Sequence, residues 1–171
     1  TQIASSISTI YVTLTLACAG GYILAGMDAF DATVHAMTTV ATGGFSTFDA
    51  SFSAFPAAAE YVAVVFMVLA ALPFVRFVQF TAGMNPAPLF QDSQIRGFLL
   101  TAAVLVTVVT LWLFLTGTLG GEAGLRKAAF NVVSILTGTG YASSDYGLWG
   151  PFAVVLFFFI GLIGGCAGST A

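Results

Sequence analysis

The chain has 171 residues, 58% of them hydrophobic and only 6% charged, and carries a formal net charge of −3. A mean hydropathy of +1.01 excludes a water-soluble domain with an ordinary polar surface. Lipid is the expected solvent, and no nucleic-acid partner is expected.

The first predicted element is a span from Thr1 to Met27, long enough for a hydrocarbon core that takes roughly 20 helical residues. It lacks the basic n-region and small-residue cleavage site of a signal peptide. Ala29 to Ala41 is too short to cross and reads as a re-entrant half-helix, ending at the loop Thr42-Gly43-Gly44-Phe45. The second span covers Tyr61 to Val75 with its flanks. Pro73 sits inside it and Arg76 caps its uncharged run, so the span must extend through Phe77, Val78 and Phe80, with Arg76 snorkelling or turned to a polar interior. The turn-rich stretch Thr81 to Pro88 then marks a boundary between residues 1–83 and 84–171.

The second half repeats the order. A third span runs from Gly97 to Gly121, a second half-helix from Gly124 to Leu136, a second loop from Gly138 through Thr139 and Gly140 to Tyr141, and a fourth span from Tyr146 to Ala171. Gly44 aligns with Gly140, Phe45 with Tyr141, Asp49 with Asp145, Thr38 with Ser134 and Thr47 with Ser143, all at one offset. A repeated loop implies a repeated unit. The expected fold is all-α integral membrane, with span, half-helix, loop and span in tandem. Lacking an initiator Met and stopping inside a Gly-rich run, the chain reads as a piece of a longer protein.

The loops suit cation coordination. A cation leaving water needs its hydration shell replaced, and main-chain carbonyls do this without bringing net charge into lipid. Thr42, Gly43 and Gly44, with Gly138, Thr139 and Gly140, are the candidate carbonyl donors, glycine permitting the backbone angles that turn successive carbonyls toward one axis. The half-helices would aim their C-terminal ends, and the partial negative charge there, at the pore centre. Thr38, Thr39, Thr42, Ser134, Thr137 and Thr139 are placed to bond freed backbone or face the path, and Phe45 and Tyr141 to pack outward as cuffs. Asp49 and Asp145 either brace their loops or add field at the entrance. Either loop alone would read as an ordinary turn; the register of the pair argues for a filter.

Around the linker, Arg76, Asp92 and Arg96 sum to +1, whereas Asp28, Asp31, Asp49, Glu60, Glu122, Asp145, Arg126 and Lys127 on the loop side sum to −4. The excess of basic residues puts the linker in the cytoplasm and the loops at an acidic outer mouth that concentrates cations. Cys18 and Cys166 read as apolar packing residues. His35, the only histidine, reads as structural, since a metal site needs partners that the sequence does not offer. Trp149 is placed for the outer aromatic belt and Trp112 for packing. Ser169 and Thr170 would satisfy broken-helix backbone. No nucleophile, acid or base constellation supports an enzyme.

Longer strings carry a resemblance. His35-Ala36-Met37-Thr38-Thr39-Val40-Ala41-Thr42-Gly43-Gly44-Phe45-Ser46-Thr47-Phe48-Asp49-Ala50-Ser51 resembles the second pore region of the Trk/Ktr/HKT potassium transporters, and Phe130-Asn131-Val132-Val133-Ser134-Ile135 with Thr139-Gly140-Tyr141 and Asp145-Tyr146 resembles the third. Gly164-Gly165-Cys166-Ala167-Gly168-Ser169-Thr170 is similar to the Gly-rich break in the last helix of the third unit, which in that family lies beneath the filter as an intramembrane gate, here Gly164, Gly165, Gly168 and Ser169. The resemblance implies half of a pseudo-fourfold pore for potassium uptake across the bacterial cytoplasmic membrane. It also implies no cofactor beyond the transported potassium, missing pore units in the same polypeptide, a homodimer, and a cytoplasmic nucleotide-binding regulatory ring. One departure stands out: Gly138 occupies a position where the family tends to have Thr, which weakens the innermost ion site. The competing expectation is a non-conducting helical scaffold of a membrane complex.

Overall fold

A computed structural model of the chain describes residues 2–84 and 87–171, and among these residues the regular structure is helical, without strands. Helix α1, Gln2–Leu24, and the later α6, Ser93–Leu115, have 23 residues each. At about 1.5 Å per residue each reaches some 35 Å, enough to cross a bilayer core. Both are apolar enough to do so. Their outer faces leave Leu16, Phe114 and Leu115 more than two-thirds exposed, as a helix meeting lipid requires. The third span ends earlier than predicted, at Leu115, where the chain turns through Gly117 at φ +68°.

Each long helix packs against a half-helix: α1 against α2, Ala29–Val40, and α6 against α7, Gly121–Leu136. Asp28 caps α2, its carboxylate accepting from the backbone N–H of Phe30 at 2.8 Å and of Asp31 at 3.2 Å. Those donations, that from Asp31 foremost, hold its carboxyl below the usual range.

The second predicted span is broken. Helix α3, Ala57–Ala70, stops, and α4, Phe74–Gly83, leaves at 88° to it. Pro73 explains the site of the break: it has no N–H to give, and its ring disfavours helical angles in the residue before it. The apolar run therefore does not form one straight helix through Phe80. Arg76, on α4, does not stand alone: its Nε donates to Asp92 Oδ2 at 2.6 Å. Asp92 also caps α6. Of the linker, α4 continues through Gly83 and a short α5 occupies Ala87–Gln91, whereas Asn85 and Pro86 lie outside the described residues.

The fourth predicted span is interrupted too. Helix α8, Pro151–Ile160, gives way to turns and irregular chain through the Gly-rich run. The two breaks meet. Cys166 N donates to Ala71 O at 3.0 Å, Thr170 N and Oγ1 donate to Ala70 O at 3.2 and 3.0 Å, and Phe74 N donates to Gly168 O at 3.0 Å. The carbonyls left over at the end of α3 thus find donors in the Gly-rich run.

Two apolar clusters result, and each borrows from the other half. Cys18, Tyr22, Ala36, Phe52 and Met67 enclose Phe130, Val133 and Tyr141 from the second half, while Ala71 and Leu72 join Leu113, Val132, Leu136, Phe157 and Cys166. Both cysteines are buried, free and in different clusters, as packing residues. Trp149 is not in an outer belt. It is 4% exposed, tilted against Phe157 at 5.9 Å, and its carbonyl accepts from Trp112 Nε1 at 2.8 Å. Trp149→Ala should therefore cost roughly 3 to 5 kcal/mol in reversible unfolding from detergent micelles, whereas a belt tryptophan facing lipid would lose under about 1 kcal/mol.

Candidate functional site

Both half-helices end alike and release the chain into the loops by the same bonds. Ala41 N donates to Met37 O at 3.1 Å and Gly44 N to Thr38 O at 3.5 Å; Thr137 N donates to Val133 O at 2.9 Å and Gly140 N to Ser134 O at 3.2 Å. The loops then alternate in hand. Positive φ occurs at Thr42 (+50°) and Gly44 (+65°) and again at Gly138 (+71°) and Gly140 (+86°), the same two register positions, with negative values between. Three of the four are glycines, which take this region without strain. The fourth, β-branched Thr42, is strained there. Its hydroxyl lies 2.8 Å from Ala41 O and 2.7 Å from Thr170 O, so it links the first loop to the Gly-rich run. Gly138, the departure in the second loop, occupies the strained position without that link.

One face of each half-helix braces the loop that follows it. Thr38 Oγ1 donates to Phe45 O at 2.9 Å, and its counterpart Ser134 Oγ donates to Tyr141 O at 2.7 Å. One turn back, His35 Nε2 bonds Ser46 Oγ at 3.0 Å, and Asn131 both donates to Ser143 Oγ at 3.1 Å and accepts from Ser143 N at 3.2 Å. A further turn back, Asp31 Oδ1 accepts from Thr47 Oγ1 at 2.6 Å, while Lys127 Nζ donates to Ser143 O at 2.6 Å. The positions 31, 35 and 38 and their counterparts 127, 131 and 134 have the i, i+4, i+7 spacing of one helix face. The sequence alone pairs only Thr38 with Ser134 on this face. The shared offset was the signal for the other two, obscured because Asp31 faces Lys127 and His35 faces Asn131 in that alignment. His35 is fully buried with both ring nitrogens bonded, Nδ1 to Asp31 O at 2.7 Å.

The loops also touch each other. Tyr141 is buried, and its hydroxyl bonds Thr38 Oγ1 and donates to His35 O at 3.2 Å. Its ring lies 4.6 Å from that of Phe52. Phe52 N donates in turn to Ala142 O at 2.9 Å. Phe45, at the matching position, is 75% exposed. Gly44 abuts the second loop so closely that a Cβ there would sit 1.9 Å from Thr139 O, whereas a Cβ on Gly140 would meet open space. Asp145 caps the turn after its loop, Oδ1 accepting from Gly147 N at 2.9 Å, but Asp49 is exposed and has no partner among the described residues.

The loop side of the chain is less acidic than a count of carboxylates suggests. Glu60 is 2% exposed, and its Oε1 accepts from Arg126 NH1 and Lys127 Nζ at 2.8 Å each. Glu122 accepts from Tyr61 OH at 2.6 Å and from Arg126 Nε at 2.8 Å, donations that hold its carboxyl below the usual range. Asp28, Asp31, Asp49 and Asp145 have no basic partner among the described residues. In the Gly-rich run, Gly164 and Gly168 have positive φ, and Ser169 Oγ donates to Cys166 O at 2.7 Å. A cavity of about 240 Å³ lies between this run and α6, lined by Gln94, Phe98, Thr101, Gly164 and Cys166 among others.

Comparison with known proteins places this arrangement. Residues 2–171 match the model of the TrkH family, described as cation transport protein. The Trk system potassium uptake protein TrkI of Halomonas elongata is 43% identical over 99% of this chain and 34% of its own length. The Trk system potassium uptake protein TrkH of Escherichia coli is 34% identical over 99% of this chain and 35% of its own. The crystal structure of the potassium transporter TrkH from Vibrio parahaemolyticus superposes with a TM-score of 0.94 at 37% identity, over 99% of this chain and 37% of that one. The chain thus spans about a third of the length of the curated relatives it matches.

Two outcomes follow from the geometry. Gly44→Ala should lower the unfolding midpoint in micelles more than Gly140→Ala, since the first adds a backbone collision to the roughly 1 kcal/mol of positive-φ strain that both carry. Tyr61→Phe should move the Glu122 titration upward, followed by infrared carboxylate bands. Because the Glu122 pKa is depressed in the folded chain, its contribution to stability is present above the ordinary carboxylate range and fades as pH falls through the folded value; Tyr61→Phe shifts that loss to higher pH.

Proposed function

The chain belongs to the TrkH family of cation transport proteins, and from that premise we propose that it forms two adjacent quarters of a potassium pore. Residues 1–83 supply the unit of the second type and residues 84–171 that of the third. The observation that carries the reading is the alternation of hand at the same positions of both loops. Reversing φ at every second residue flips alternate peptide planes, so that successive carbonyls turn to one side of the chain. Thr42, Gly43 and Gly44 with Gly138, Thr139 and Gly140 then offer oxygens in place of a cation's water, and the C-terminal ends of α2 and α7 add negative potential at the same place. Anions are repelled there.

Aromatic packing supports the incompleteness of the ring. Tyr141 is buried against the half-helix of the preceding unit, so the exposed Phe45 is the surface on which a preceding unit of the same polypeptide docks. The remaining pore units, a homodimer, a nucleotide-binding regulatory ring on the cytoplasmic face and residence in the bacterial inner membrane extend the same reading to the whole protein. Gly164, Gly165, Gly168 and Ser169 form the gate in this proposal, anchored to the end of α3 and, through Thr42, to the base of the first loop.

In the full-length protein, Gly44→Ser and Gly140→Ser should each reduce potassium-over-sodium discrimination in proteoliposome flux by about tenfold, equivalent to about 1.4 kcal/mol. Unchanged selectivity in both variants rules out carbonyl coordination at these loops. Thr170→Val removes a hydroxyl bond to Ala70 O. Losing about 1 kcal/mol from the closed arrangement should raise flux up to about fivefold; lower flux in a well-folded variant overturns the gate.

A further inference from the structure

We propose that Lys127 is a positioning residue of the second loop, held in place by Glu60 from the other unit, and that this pair sets the loop's outer geometry and its cation discrimination. The inference rests on the pore reading above. Lys127 Nζ makes two contacts with acceptors from different halves of the chain: Glu60 Oε1 on α3 at 2.8 Å and the main-chain oxygen of Ser143, three residues beyond Gly140, at 2.6 Å. The Lys127 side chain is 20% exposed and that of Glu60 2%, so protein acceptors replace much of the water the ammonium would otherwise hold.

Arg126 NH1 bonds the same Oε1 at 2.8 Å while its Nε bonds Glu122, so Arg126 and Lys127 together balance Glu60 and Glu122. What Lys127 adds is the grip on Ser143 O. A carbonyl accepting from an ammonium is withdrawn from any permeating cation, so the row of coordinating oxygens ends before it. The first loop is finished differently. At the matching half-helix position, Asp31 accepts from the side chain of Thr47 and leaves the main-chain oxygen untouched. The two quarters therefore close their outer ends with opposite charges and by different atoms. Glu60 makes this a junction between units, since a shift of α3 carries the ammonium, and with it Ser143, along.

The test uses the full-length protein in proteoliposomes, with Lys127→Met, Lys127→Gln and Glu60→Gln. Lys127→Gln keeps an N–H donor for Ser143 O without the charge; Lys127→Met keeps neither. Lys127→Met should lower the potassium-to-sodium flux ratio severalfold and speed amide hydrogen exchange across residues 141–145 by about tenfold, the loss of one charge-assisted bond, with residues 45–49 unchanged. Glu60→Gln should shift both readouts in the same direction, and Lys127→Gln should restore most of each. Exchange unaltered by Lys127→Met overturns the positioning role, whatever the flux shows. Faster exchange with an unaltered flux ratio overturns the claim on discrimination. If Lys127→Gln matches Lys127→Met, charge and not the bond to Ser143 is what matters, and the inference falls. A wild type that does not distinguish the two cations refutes the pore reading instead, while the exchange arm still decides the brace.

Discussion

An unbonded peptide N–H or C=O at membrane depth costs several kcal/mol, because no water is there to receive it. Helices meet this constraint internally, but the chain leaves helical geometry at membrane-grade sequence in both loops, at the Pro73 break and in the Gly-rich run. The last two of these stretches satisfy each other. The end of α3 presents Ala70 and Ala71 carbonyls; the run supplies Cys166 N, Thr170 N and Thr170 Oγ1, and takes Phe74 N on Gly168 O. Each break supplies partners the other lacks, and the two define one junction linking the first half of the chain to its last residues.

The loops meet the same constraint through side chains. A helix face at i, i+4 and i+7 delivers hydroxyl, imidazole or amide, and an ionised group to the segment that follows, once from α2 and once from α7. The scheme is conserved between the two units while the chemistry changes at two of its three levels. Equivalent position does not mean equivalent contribution: Thr42 is anchored to the Gly-rich run where Gly138 is not, and Lys127 grips main chain where Asp31 grips a side chain. Tyr141 reaches across to His35 O and Thr38, so the second loop cannot be placed without the first half-helix.

Much of this was legible in the chain itself. Charge-poor runs set where α1 and α6 lie, the short weakly apolar stretches marked α2 and α7, and the constant offset between loops exposed the repeat. The ends of elements were less legible. A hydropathy run over Tyr61 to Phe80 does not reveal an 88° bend, because apolar residues serve a straight span and a broken one equally. Trp149 is ambiguous in the sequence for a related reason: aromatic residues near a span end suit both the interface and a buried cluster, and only its neighbours Phe157 and Trp112 distinguish them.

The sequence alone determined the solvent, the helical class, the two-fold repetition and the loops that carry the candidate chemistry, since composition, length and register are local properties of the chain. Tertiary structure decided what Glu60, Lys127, His35 and Tyr141 do. It also decided which acids on the loop side have no basic partner among the described residues and how the Pro73 break and the Gly-rich run complete each other. Those outcomes depend on groups as far apart as Thr42 and Thr170 meeting at hydrogen-bond distance, and on burial that makes each bond obligatory. No periodicity along a single chain encodes such a meeting.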